Sequence, residues 1–349
     1  MTISRRSSYW DNWKGLAVIA VVAIHASDLT RLFPEGSLNW IFGLGFRQVV
    51  NFAVPMFLAL SGYFSVSAKG KGAIDFYKDR LPRILLPYAF WTILSLARTS
   101  PLTPPSLDEV IRAFLFGEGI WIGYFVIVLL QYILITPLLV RIQSMRIHLT
   151  IICILTVAGL ALSYYTRVQS IGFFGEFPGS ALPFIFWYPF YHFGLLMRLR
   201  SVNSNSQSLK SNVLKLWMVF FAALFFSFLE GLFWGFEGFY SLGASQIKVS
   251  SFAASLALAS IAIIGFKAET FLRNPSALTF LGRNSYAIYL IHLNLLTVTR
   301  KIVDLVPGIY EIQPLYIALL MVFTILFCAL FIGVFRKIAS DRVSAVVLG

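Results

Sequence analysis

Two histidines sit inside long apolar runs, a costly setting for a titratable group and therefore a marker of function. His25 lies in Val21-Val22-Ala23-Ile24-His25-Ala26, and Lys14 stands eleven residues before it. At about 100° per residue, eleven steps end about 20° past three full turns, so both side chains share one helix face about 16 Å apart. The second histidine closes Ser285-Tyr286-Ala287-Ile288-Tyr289-Leu290-Ile291-His292. Ser285, Tyr289 and His292 recur at i, i+4 and i+7, a single polar stripe. The two histidines fall at matching depth in their runs, which predicts one shared cavity. A neutral imidazole there can take a proton from a hydroxyl or attack an acyl carbon, and a hydroxyl beside it can steady an oxyanion. Arg80 and Arg83, three residues apart between Asp79 and Pro87, stand at the expected start of a helix. Two guanidiniums so placed can grip a polyanion bidentately.

The elements that must hold these groups are long apolar helices. The chain has 349 residues, 58% hydrophobic and only 12% charged, against roughly a quarter charged in soluble domains. Disordered, collagen-like, disulfide-stapled and β-barrel chains are excluded by this pattern. Ten spans are expected, near 13–31, 42–66, 81–98, 120–140, 148–166, 180–198, 213–234, 248–266, 280–299 and 313–335. The fold class is thus all-α: a polytopic membrane protein of about ten transmembrane helices. The net charge of +13 lies mostly in short loops, which argues against nucleic acid. Of the 28 Lys and Arg, 20 fall on the N-terminal side and 8 on the other, Arg47 and Lys248 among the 8. Arg5, Arg6, Lys210, Lys267 and Arg273 belong to the 20. That bias puts both termini in the cytoplasm. The first span reads as an uncleaved helix rather than a signal peptide, capped by Asp11 or Asn12.

The remaining candidates read as structural. Pro55 kinks the second span and Ser61-Gly62 allows close helix approach. Cys153 and Cys328 have no metal-ligand spacing and read as small core residues. His148, beside Arg146, reads as a solvated loop histidine, and His192 as embedded. Glu176, Glu230 and Glu237 read as solvated ends. No metal site, phosphate-cradling glycine loop or Ser-His-Asp pattern stands out.

Four stretches in order resemble the acyltransferase-3 family of bacterial membrane O-acyltransferases. They are Asp11-Asn12-Trp13-Lys14-Gly15 with its Lys-x10-His to His25, Val54-Pro55-Met56-Phe57 through Ser61-Gly62-Tyr63, Arg80-x-x-Arg83 with Leu86-Pro87-Tyr88, and Gly282-Arg283-Asn284-Ser285 through His292. The resemblance covers nearly the whole chain, read as a single membrane domain over 1–349 with no appended soluble domain. It implies transfer of an acyl group, usually acetyl from acetyl-CoA, to a hydroxyl of a glycan such as O-antigen or its lipid-linked precursor. No metal is expected. Lys14, Arg80 and Arg83 would then hold the donor's phosphates at the cytoplasmic mouth. His25 would be the base or acyl carrier, with Ser285, Tyr289 and His292 as oxyanion donors. The place is the bacterial inner (cytoplasmic) membrane, among membrane lipids. Two other classes fit the same spans: a proton-coupled secondary transporter, and a non-enzymatic scaffold or glycan flippase subunit.

Overall fold

A computed structural model describes residues 7–99, 104–200, 206–267 and 276–349. Every regular element among them is helical. In chain order these are α1 (Ser8–Ala26), α2 (Leu38–Val50), α3 (Ala53–Ser65), α4 (Ala73–Thr99), α5 (Leu107–Leu115), α6 (Tyr124–Leu139), α7 (Met145–Val168) and α8 (Gly172–Gly175). Then come α9 (Phe184–Leu199), α10 (Ser206–Phe236), α11 (Tyr240–Gly243), α12 (Val249–Lys267), α13 (Ala277–Arg283), α14 (Ser285–Val303), α15 (Gln313–Ile338) and α16 (Asp341–Val347). Arg5, Arg6 and Arg273 lie outside the described residues, and nothing is described of the Lys210 and Lys267 side chains.

Among the described residues, six stretches are long and apolar enough to cross a membrane: Ser8–Leu32, Leu38–Ala68, Met145–Val168, Asn212–Phe236, Val249–Phe266 and Gln313–Ile338. The other four expected spans are helical too. α6 and α9 have 16 residues each, about 24 Å of helix against about 30 Å of hydrocarbon. α4 carries Arg83 and Arg98, and α14 ends on Arg300 and Lys301. α10 leaves Phe221, Phe225, Phe226, Leu229 and Phe233 exposed, an apolar face suited to lipid rather than water.

The chain divides into two compact units: Met1–Phe57 with Val202–Gly333, and Leu58–Ser201 with Val334–Gly349. In the first, α1 packs on α13 and α14, and α10 packs on α2 and α12. Close approach of α1 and α13 depends on two glycines. A Cβ on Gly282 would run into the Asp11 carbonyl, and one on Gly15 into the Leu278 carbonyl. Ala26, Leu296, Val303, Tyr316, Ile317 and Leu320 form a buried cluster at the other end of these helices. In the second unit, α7 packs on α9 and α16 on α4. Gly62 meets the Tyr191 carbonyl and Gly194 the Ala59 carbonyl, so the Ser61-Gly62 pair does serve helix packing.

Several local expectations are corrected. α1 starts at Ser8, so Asp11 and Asn12 are within the helix and do not cap it. Asn12 instead accepts from Ser276 (3.1 Å) and Thr279 (2.7 Å). Pro55 does not kink a continuous helix. The chain breaks at Asn51–Phe52 and Pro55 occupies the first turn of α3, where its missing N–H costs nothing. Arg80 and Arg83 lie in the second and third turns of a helix that starts at Ala73, not at its head. Cys153 is exposed on α7, whereas Cys328 is buried; a helix apolar all round gives periodicity no face to select.

The glycine contacts are testable. Gly282→Ala should destabilise the protein by about 1–3 kcal/mol through overpacking. Gly333→Ala, with nothing within 4 Å of the new Cβ, should be neutral or stabilising. Thermal unfolding of the two variants in the same detergent checks this.

Candidate active site

His25 is the penultimate residue of α1, and the turn that follows brings Asp28 back against it. The Asp28 carboxylate accepts from His25 Nδ1 at 3.3 Å. A carboxylate can only accept, so Nδ1 carries the proton and a neutral ring keeps its lone pair on Nε2. Arg47, on α2, closes the arrangement from behind. Its Nη1 donates to the Ile24 carbonyl at 3.1 Å and lies 3.5 Å from Asp28. The His25 side chain keeps 19% exposure, so the ring is held but reachable.

His292 stands beside it, with ring centroids 5.3 Å apart. It is wholly buried. Its Nδ1 donates to the Tyr289 carbonyl at 2.7 Å and the Ile288 carbonyl at 3.1 Å. A carbonyl also only accepts, so the neutral ring again presents a lone pair at Nε2. That atom is buried with no hydrogen-bond partner among the described residues. Two neighbouring imidazoles therefore both keep Nε2 as an acceptor. A buried acceptor without a partner is costly, and a substrate hydroxyl would satisfy it.

The Tyr289 ring lies 6.2 Å from that of His292 and stacks with Tyr286. Ser285 is the first residue of α14, about 10 Å along the axis from His292. The structure thus brings His25, His292 and Tyr289 together and leaves Ser285 one end away. In its neutral form His292 cannot donate to an oxyanion; it suits the orientation of an O–H group instead. Lys14 shares α1 with His25 and pairs with Asp11 at 4.0 Å, while Arg283 reaches the same carboxylate at 3.3 Å.

In the second unit, Arg80 donates to the Phe64 carbonyl (2.8 Å) and Ser67 Oγ (3.2 Å), with its guanidinium over the Phe76 ring. Arg83 is exposed. Lys71 binds Asp79 at 2.5 Å, and this cation holds the carboxyl of Asp79 below its usual range. Thus Asp79 belongs to Lys71, and Arg83 stays open to solvent and to an incoming anion.

Sequence reasoning missed four features. Asp28 was not among its candidates, and Arg47 counted only as an orientation charge. Lys248, counted as an outer loop charge, is fully buried. It donates to Gln48 Oε1 (2.7 Å), Ser227 Oγ (2.6 Å) and Ser251 Oγ (2.5 Å). Glu230, read as a solvated end, binds Ser250 through its backbone N–H and its hydroxyl. His148 is not solvated: α7 starts at Met145 and turns it inward to His192, Nδ1 to Nε2 at 2.7 Å, and both are buried. Ser250 and Ser251, just after Lys248, were the one local signal, since a buried ammonium needs several acceptors.

A family model described as an acyltransferase domain matches residues 7–333. The chain therefore belongs to the acyltransferase-3 family, and its apolar helices make it a multi-pass membrane protein of that family. It is also 27% identical over 134 residues to proteins of Staphylococcus aureus strains MSSA476, MW2 and N315, each named as a probable poly-β-1,6-N-acetyl-D-glucosamine export protein. The match covers 36% of this chain and 37% of each relative, so the chain spans little more than a third of the curated relatives it matches. No solved structure matches the chain.

The Asp28 contact makes a prediction. Asp28→Asn keeps the shape but offers an amide that can donate to Nδ1, which favours the wrong tautomer. Acyl transfer should fall about 100-fold, with the thermal midpoint within a degree or two of wild type. Steady-state rates beside an unfolding scan decide it.

Proposed function

We propose that this protein moves an acetyl group from cytoplasmic acetyl-CoA to a sugar hydroxyl of a cell-surface glycan or its lipid-linked precursor. The observation that carries this reading is the pairing of a reachable His25 with a buried His292, with Asp28 fixing the tautomer of His25, in a chain of the acyltransferase-3 family. The charge bias of the loops supports ten crossings with both termini inside and a place in the bacterial inner membrane.

The residues fit a CoA thioester. Its phosphates need cations, and in the first unit Lys14 lies on the His25 face of α1. His25 Nε2 takes the proton of the sugar hydroxyl as its oxygen attacks the thioester carbonyl. The C–S bond breaks, and the proton passes to the leaving thiolate. His292 Nε2 accepts a hydrogen bond from the same or a neighbouring hydroxyl and orients it. Asp28 steadies the imidazolium while it exists, and Arg47 keeps Asp28 ionised and in place. In the acyl-carrier variant of this step, Nε2 attacks the thioester itself, the C–S bond breaks and CoA leaves as its thiolate; the sugar hydroxyl then takes the acyl group from Nε2 and its proton passes to the thiolate.

The relatives' name supports poly-N-acetylglucosamine as the first acceptor to try. It also supports a second reading, a glycan exporter, for which the buried Lys248 would be a coupling residue. Inverted membrane vesicles given acetyl-labelled acetyl-CoA and a β-1,6-linked N-acetylglucosamine oligosaccharide separate the two. Transfer of label by wild type and its loss, by at least 1,000-fold, in His25→Ala is the expected result. Oligosaccharide movement without label transfer would instead establish export.

A further inference from the structure

A small cavity with a mixed apolar and charged lining lies in the second unit, well away from the arginine pair on α4. It has a volume of about 190 Å³ and is lined by Ser95, Glu109, Arg112, Glu118 and Gly119, among others. Ser95 is fifteen residues past Arg80 on α4, about 22 Å further along the axis. The outer wall is α5, which is amphipathic. Leu107, Ile111 and Leu115, at i, i+4 and i+8, are exposed, while Glu109, Arg112 and Ala113 on the opposite face line the cavity. An apolar face turned to lipid and a polar face turned to a cavity is the arrangement of a helix that walls a polar compartment at a membrane surface.

At its open side, the half-exposed Arg112 guanidinium donates to Glu118 through Nε (2.8 Å) and Nη2 (3.0 Å). The pairing raises the guanidinium's proton affinity and locks both groups in place. Each retains hydrogen-bonding capacity: the guanidinium has five N–H donors and the carboxylate about four lone-pair sites. Fixed donors and acceptors side by side suit vicinal hydroxyls, which both donate and accept.

Two residues beyond Gly119 of the lining, Trp121 follows the Glu118–Ile120 turn. It is 58% exposed and has φ of 58°, a region that bulky residues avoid. Its ring lies 5.2 Å from that of Phe177, itself 39% exposed, and Phe177 also meets Tyr124. A tryptophan that only anchors a helix at the interface needs no strained backbone. Strain at an exposed aromatic two residues from the cavity lining marks a site that is shaped for a ligand. The pyranose ring combines an apolar C–H face, which packs on an indole, with a rim of hydroxyls. The cavity is below the roughly 300–1,000 Å³ of drug-sized sites, a size for one sugar unit.

We infer that the Arg112–Glu118 cavity and the Trp121–Phe177 platform form a saccharide-binding subsite for the glycan acceptor. The inference rests on the glycan-acceptor reading above, and it assigns that acceptor a foothold at the end of the unit that the charge bias places outside. The subsite binds and holds; it performs no chemistry.

The test is binding without turnover. The full chain in lipid nanodiscs is titrated with the β-1,6-linked N-acetylglucosamine oligosaccharide by calorimetry, with no acyl donor present. Trp121→Gly is the decisive variant, because glycine adopts the positive φ freely. It should weaken binding at least tenfold with an unchanged or raised thermal midpoint. Trp121→Phe should retain most of the affinity, and Glu118→Gln should lose several-fold. His25→Ala should bind as wild type while transferring nothing. Wild-type affinity in Trp121→Gly, or no binding by the wild type, overturns the subsite even if label transfer stands. Trp121-dependent binding without label transfer keeps the subsite and removes the acyltransfer reading.

Discussion

The hydrogen bond between His25 and Asp28 is the constraint around which the first unit is arranged. An imidazole in an apolar helix has two nitrogens to satisfy and little water to satisfy them. Asp28 accepts from the Nδ1–H at 3.3 Å, which leaves Nε2 as a lone pair. The carboxylate itself would be poorly placed there without a cation. Arg47 supplies one, and its second bond, to the Ile24 carbonyl, ties α2 to the end of α1. The position of α2 is held in turn by Gln48, the next residue, which accepts from the buried Lys248 and donates to the Gly243 carbonyl at 3.1 Å. A reactive nitrogen on α1 is thus traced through three side chains to a buried ammonium at the head of α12.

The same logic explains why small residues cluster where α1 meets α13. Asp11, one turn before Lys14, is buried, and two cations share it. Asn12 accepts from two hydroxyls around α13. These polar contacts need backbone-to-backbone approach, and Gly15 and Gly282 permit it. Polar side chains here specify which helices pair, and glycines set how closely.

Much of this was legible in the sequence. The Lys14–His25 register and the Ser285–Tyr289–His292 stripe needed only helical periodicity, and the depth match placed two rings that stand 5.3 Å apart. What periodicity does not carry is the identity of a neighbouring helix. Asp28 drew no notice and Arg47 counted only as an orientation charge, yet they matter because α2 folds back on α1. Lys248 looked like loop charge until α2 and α10 surrounded it with acceptors. His148 looked solvated because it follows Arg146, yet it lies in the first turn of α7 on the side facing α9. Each of these residues takes its role from a partner more than 15 residues away in sequence or from the turn between two elements, where hydropathy gives no signal.

The central claim concerns protons: His25 and His292 both carry theirs on Nδ1 and both present Nε2 as an acceptor. With four histidines in the chain, ¹⁵N-histidine solid-state NMR of the full protein in lipid bilayers reads this directly, His25→Gln and His292→Gln assigning the signals. The account predicts protonated Nδ1 and unprotonated Nε2 for both rings at neutral pH, with Asp28→Asn disturbing that pattern at His25. A protonated Nε2 on His25 in the wild type, with the lone pair on Nδ1, would contradict it.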